Sequence, residues 1–155
     1  MPKKIISFLL CVIITSAMFG VSVSASNSQD VAYERNVIVN DDGSYYVIEI
    51  SSVRTLTQQR ATATTSGTKK TSHYSGTGTL NWEHSISGSF TYTGTSATCT
   101  SASSSYTIYA SGWSCTSNLS SKSGASAIGN ASFKHLISTT NSSVTLTCSA
   151  NGVLS

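Results

Sequence analysis

The stretch Thr79-Leu80-Asn81-Trp82-Glu83-His84-Ser85-Ile86-Ser87-Gly88-Ser89-Phe90-Thr91-Tyr92-Thr93 decides the fold class. Leu80, Trp82, His84, Ile86, Phe90 and Tyr92 hold even positions, and the odd positions carry Thr79, Asn81, Glu83, Ser85, Ser87, Ser89, Thr91 and Thr93. A side-chain period of two belongs to an extended strand, whose successive residues point to opposite faces; a helix repeats near 3.6. At ~3.3 Å per residue the run would measure roughly 50 Å, well beyond a usual strand. Gly88 is expected to interrupt it, since glycine inside a strand pattern marks a bulge or bend, here a corner between two sheets.

The same alternation continues downstream. Tyr106, Ile108 and Ala110 share one parity, as do Ala125, Ala127, Ala131, Phe133, His135 and Ile137, and then Val144, Leu146, Cys148 and Ala150. Gly94, Gly112, Gly124 and Gly152 punctuate these runs. Short alternating strands with no helical segment predict an all-β protein, an antiparallel β-sandwich over residues 66–155. Upstream, Asn36-Val37-Ile38-Val39 and Tyr45-Tyr46-Val47-Ile48-Glu49-Ile50 flank Asn40-Asp41-Asp42-Gly43-Ser44, whose Asp-Gly step suits a tight reversal. A β-hairpin over about 36–50 is expected within a charged segment, 26–65. The Thr-rich stretch 55–72 has no periodicity and reads as a polar tether or an irregular edge strand.

Lys3 and Lys4 precede an apolar run from Ile5 to Ile14, and Val23-Ser24-Ala25 supplies small residues at a cleavage site. Residues 1–25 therefore read as a secretory signal peptide, with the cut after Ala25 rather than Ala17. The apolar core is too short and interrupted for a retained membrane anchor. The chain has nine basic and six acidic residues. Two of the basic ones belong to the signal, so the mature part carries seven against six, a net +1. Only Lys69-Lys70 forms a basic pair, which excludes nucleic-acid binding by clustered phosphate contacts. Serine and threonine make up 49 of the 130 residues from 26 on. With no proline in that part and regular alternation, they read as the wetted face of strands rather than as a disordered stalk.

Motifs for chemistry are sparse. From residue 66 on the one carboxylate is Glu83, on the outward parity of its strand, so a two-carboxylate glycosidase site would need a second acid from the hairpin. His73, His84 and His135 have no ligand spacing, and neither a phosphate loop nor a serine elbow is present. No catalytic residue, metal or cofactor is expected. Cys99 and Cys148 share inward parity, and an exported chain meets conditions that allow a disulfide between them; three reduced core thiols are the alternative. Cys115 is then the odd thiol, read chiefly as a small buried hydrophobe. Trp82, Phe90, Tyr92 and Trp113 are expected to fill a core built otherwise of small aliphatics. Tyr74 and Tyr109 are the candidates for a ligand platform.

The stretch from about Gly67 to Ser155, with Leu80-Asn81-Trp82, Gly88-Ser89-Phe90-Thr91-Tyr92-Thr93-Gly94, Ala97-Thr98-Cys99-Thr100 and Leu146-Thr147-Cys148, resembles a loose group of short, exported, Ser/Thr-rich proteins of Gram-positive gut bacteria. That group has no established activity; the resemblance implies an extracellular location, the same fold class and the Cys99–Cys148 disulfide. The expected role is non-catalytic binding or structure at the cell exterior, with a surface glycan or protein as partner. A secreted bacteriocin-like antagonist is the alternative from another class, and a small hydrolase comes third.

Overall fold

The computed structural model describes residues 29–55 and 62–155, so the signal reading lies outside the described residues. Eight antiparallel strands follow one another: β1 (Gln29–Val39), β2 (Tyr45–Thr55), β3 (Ala63–Tyr74), β4 (Leu80–Tyr92), β5 (Ala97–Ile108), β6 (Trp113–Ser123), β7 (Ser126–His135) and β8 (Ser138–Thr147). They form a five-stranded sheet in the order β1-β2-β3-β4-β5 and a three-stranded sheet in the order β6-β7-β8. The chain is an all-β sandwich, as the alternation predicts. It is a simple meander within each sheet, crossing from one to the other between β5 and β6.

Parity determines burial. Trp82, His84, Ile86 and Phe90 are at most 1 % exposed, and Ala127, Phe133, Val144 and Leu146 meet them from the opposite sheet. One cluster gathers Ile86, Phe90, Cys99, Ala127, Val144, Leu146, Cys148 and Leu154. A second, aromatic cluster is centred on Trp82 and Phe133, whose rings stack at 4.0 Å. Serine and threonine line the wetted faces, where they pair across strands, as Thr68 with Ser87 and Ser85 with Ser105, both at 2.8 Å.

Four expectations need correction. Gly88 does not break β4, which runs unbroken for 13 residues. A Cβ there would lie 2.9 Å from Ala127 Cβ and from the Phe90 ring, so glycine is needed for close approach of the two sheets, and the bulge falls one step later, at Ser89/Phe90. From Ala63 the expected tether or edge is an interior strand, β3, hydrogen-bonded on both sides; its side chains can be polar because one face is open to water. Ile137 is 96 % exposed, because the tight β7–β8 turn, with Leu136 at φ 55°, carries it out of the strand. The Cys99–Cys148 bond is not formed. Both side chains sit in the first core cluster, where each Sγ donates to a backbone carbonyl beside it, Cys99 to Ser101 at 3.2 Å and Cys148 to Ser149 at 3.4 Å.

The N-terminal hairpin joins the sandwich sheet directly through the β2–β3 ladder. The three-stranded sheet approaches β3, β4 and β5, whereas β1 makes contact with β2 alone. The five-stranded sheet therefore overhangs its partner by its first strands, and every residue from Ala32 to Val39 is exposed.

Candidate functional site

In a meander, alternate turns fall at the same end. Here the β1–β2, β3–β4, β5–β6 and β7–β8 connections converge around an open cleft of about 450 Å³. Asp42 and Ser44 come from the first turn, Ser75 and Gly76 from the second, Ser111 and Trp113 from the third, and His135 with Ser138 from the fourth; His73 and Asn81 form its inner wall.

Each turn is built by local chemistry. Asp42 Oδ1 accepts from the Ser44 amide at 2.9 Å and from Ser44 Oγ at 2.6 Å, while Asn40 Nδ2 donates to Ser44 Oγ at 2.8 Å. Gly43 takes φ +79°, a conformation that β-carbons disfavour, which is the reason for the Asp-Gly step. The hydrogen bonds from the Ser44 hydroxyl and amide hold the Asp42 carboxyl below its ordinary range.

The inner wall is aromatic. Trp113 stacks on His135 at 5.0 Å and meets the edges of His73 at 5.4 Å and Trp82 at 6.4 Å. His73 in turn stacks on Trp82 at 5.2 Å. Asn81 Nδ2 donates to His73 Nδ1 at 3.1 Å, which leaves the imidazole proton on Nε2. Burial pushes the His73 pKa down, against the nearby charge of Asp42. Below this wall, the indole N–H of Trp82 is buried without a hydrogen-bond partner among the described residues.

In the cleft, Ser44 spends its hydroxyl on Asp42 and His73 spends Nδ1 on Asn81. Two carboxylates do meet on the outer face of the larger sheet, where Lys70 Nζ lies 3.0 Å from Glu49 Oε2 and 2.9 Å from Glu83 Oε1. The hairpin thus supplies the second acid that Glu83 lacks in its own strand. Hydrogen bonds from Tyr33 and Lys70 lower the Glu49 pKa. For Glu83 burial acts upward, but bonds from Lys70, Tyr109 and Ser72 bring the value below its ordinary range. Both acids are held ionised, and glycoside hydrolysis needs one of them protonated.

The two platform candidates lie on the outer face of the same sheet, with β4 between them. Tyr109 is 55 % exposed, and its hydroxyl donates to Glu83 Oε2 at 2.8 Å. Tyr74 is half-buried against Tyr45, ring on ring at 4.7 Å and 5°. Neither lines the cleft. His84 is a core residue: Ser104 Oγ donates to Asn118 Oδ1 at 2.6 Å and accepts from His84 Nε2 at 2.9 Å, which leaves Nδ1 to accept from Ser142 at 2.8 Å. Cys115 is half-buried against the aromatic cluster, its Sγ on the Ser117 carbonyl at 3.2 Å. Among the described residues no group of three or more His, Cys, Asp or Glu could hold a metal ion, and no helix is long and apolar enough to cross a membrane.

Sequence reasoning had no motif by which to find Asp42, His73, Asn81, Trp113 and His135 as one site. The signal was present in another form: once the chain is read as a meander, four of its turns must share an end, and these residues flank them. No family model matches the chain, and neither a curated protein nor a solved structure is similar to it.

Proposed function

We propose that the chain is an exported, non-catalytic binding protein of the cell exterior, with the end cleft as its ligand seat and a surface saccharide as its ligand. The observation that carries this reading is the composition of the cleft: an indole and two imidazoles beside one carboxylate, an amide and several hydroxyls, in about 450 Å³. Sugar rings present C–H faces that pack on aromatic rings, and their hydroxyls need both acceptors and donors, which Asp42, Asn81, Ser111 and Ser138 offer. The volume lies in the ordinary range for small-ligand sites. Among the described residues no lysine or arginine lines the cleft, so a neutral sugar fits better than an acidic one.

The test is retention of the labelled protein, residues 26–155, on isolated cell walls and on a glycan array. Wild type should be retained, and Trp113→Ala should weaken binding at least about tenfold, as expected for loss of an aromatic anchor. Asn81→Asp, which puts a second carboxylate beside His73, serves as an independent variant and should also weaken it. Silence of the wild type on both surfaces, or full binding by both variants, would remove the proposal.

A further inference from the structure

Asp42 is held differently from the two carboxylates on the outer face of the larger sheet. Glu49 and Glu83 share the Lys70 ammonium at 3.0 and 2.9 Å, and Glu49 also lies 3.7 Å from Arg35. Asp42 has no such countercharge. Its Oδ1 takes both the amide and the hydroxyl of Ser44, and its Oδ2 makes no hydrogen bond or ion pair with another described residue. It is the one acid among the described residues that line the end cleft, and none of those residues is a lysine or arginine. The bonds from Ser44 keep the carboxyl ionised at neutral pH, and burial keeps the His73 imidazole uncharged there. The cleft therefore carries a negative charge that the chain itself leaves uncompensated.

A ligand that enters the cleft strips water from this carboxylate. A sugar hydroxyl can donate to Oδ2 but brings no charge, and an ion taken out of water is costly unless an opposite charge meets it. A protonated amine supplies both, through hydrogen bonds roughly twice as strong as neutral ones. The Trp113 indole lines the same cleft, and an aromatic face attracts a cation within about 6 Å of its centre. Ser111, Ser138 and Thr140 remain for the uncharged part of the ring, together with Oδ1 of Asn81, whose Nδ2 is already given to His73.

We propose that the end cleft selects amino sugars whose amine is free and protonated, with Asp42 Oδ2 receiving the ammonium and Trp113 packing on the sugar ring. This rests on the reading of the cleft as a saccharide seat and narrows it to a cationic class. Asp42 is then the residue that determines specificity. Acetylation of the amine removes the charge and adds bulk, so the protein distinguishes de-N-acetylated from N-acetylated polysaccharide.

The experiment measures retention of labelled residues 26–155 on isolated cell walls and on a glycan array, each before and after acetylation of free amines with acetic anhydride. Displacement is then tried at pH 7 with soluble tetrasaccharides of β-1,4-linked glucosamine, N-acetylglucosamine and glucose. Acetylated surfaces should retain the protein at least about tenfold less, as for loss of a hydrogen bond to a charged group. Only the glucosamine tetramer should displace it, and less well as salt is added. Asp42→Asn, which keeps an oxygen for the Ser44 amide, should bind treated and untreated surfaces alike. Asp41→Asn, one residue away and not lining the cleft, should keep the wild-type preference. Undiminished retention after acetylation, or a preference that survives Asp42→Asn, would overturn the inference and leave the saccharide reading standing. Displacement by Nα-acetyl-lysine amide as effective as by the glucosamine tetramer would assign the amine to a protein side chain and overturn both. Absence of retention on every wall and glycan would likewise remove both.

Discussion

The part of the larger sheet that is covered and the part that overhangs are made by the same strand chemistry but held by different forces. In β4 the inward side chains Trp82, His84, Ile86 and Phe90 are sealed beneath the smaller sheet, at most 1 % exposed. In β1 both faces are wet, and Tyr33, Val37, Ile38 and Val39 are between 48 % and 69 % exposed. Apolar burial dominates stability in the first region. The second depends on its ladder to β2 and on a line of charges across the outer face, from Arg35 through Glu49 and Lys70 to Glu83. A strand can therefore be fully formed in this fold without contributing to its core.

The largest effect should come from the covered region. Phe133→Ala removes the ring stacked on Trp82 and should cost about 3–5 kcal/mol in urea unfolding, by lost transfer and a cavity. A cost below about 1 kcal/mol would mean that the two sheets are not packed on one another as described.

Next in size is the buried imidazole. Burial lowers the pKa of His84, and the neutral ring is already satisfied by Ser104 and Ser142. The unfolded chain takes up a proton near pH ~6.5, and the folded one does so only at lower pH. Stability from His84 is therefore complete above that value and falls as the pH drops below it. His73, also lowered, adds in the same direction. The urea midpoint should decline between pH 7.5 and pH 5, and His84→Gln, although itself destabilising by about 1–3 kcal/mol through unpaired hydroxyls, should flatten the decline. A midpoint constant across that range would show that neither ring is shielded in the folded state.

The charge line should matter less. Lys70→Met removes the ammonium shared by Glu49 and Glu83, and for so accessible a group the loss should be about 1 kcal/mol or less at neutral pH. Because both carboxyls are lowered, that contribution is present above pH ~4.5 and disappears as the pH falls further. Comparing wild type and Lys70→Met at pH 7 and pH 3 by chemical unfolding should show the two converging in acid; a constant gap would assign the loss to packing of the lysine stem.

The smallest effect belongs to the overhang. Ile38→Thr should change stability by no more than about 0.5 kcal/mol, as for an exposed position. A penalty comparable to that of Phe133→Ala would mean that this face is covered in the isolated protein, and the contrast between the two regions would fail.

How much of this was legible in the sequence differs from residue to residue. The period of two in 79–93 showed which of Trp82, Glu83 and His84 face inward, and it holds in the structure. It did not show that Gly88 serves an approach between sheets instead of a corner, because a clash with Ala127 is set by a strand about forty residues away. The polar strand β3 was illegible for the same reason. Lys69, Lys70 and Thr71 carry no apolar alternation, and their place is decided by partners on both sides. Cys99 and Cys148 were rightly assigned to the core by parity, but parity could not say whether two inward sulfurs on different sheets come within bonding distance.

By itself the sequence determined the local grammar of the protein: strands, because apolar residues recur at every second place, and turns, because Asp-Gly and isolated glycines allow the backbone reversals that strands require. Only the tertiary structure decided which turns share an end, which carboxylates meet across Lys70, and how far one sheet extends past the other. Those are relations between residues distant along the chain, and they follow from the packing of two faces of unequal width, a quantity that no window of neighbouring residues contains.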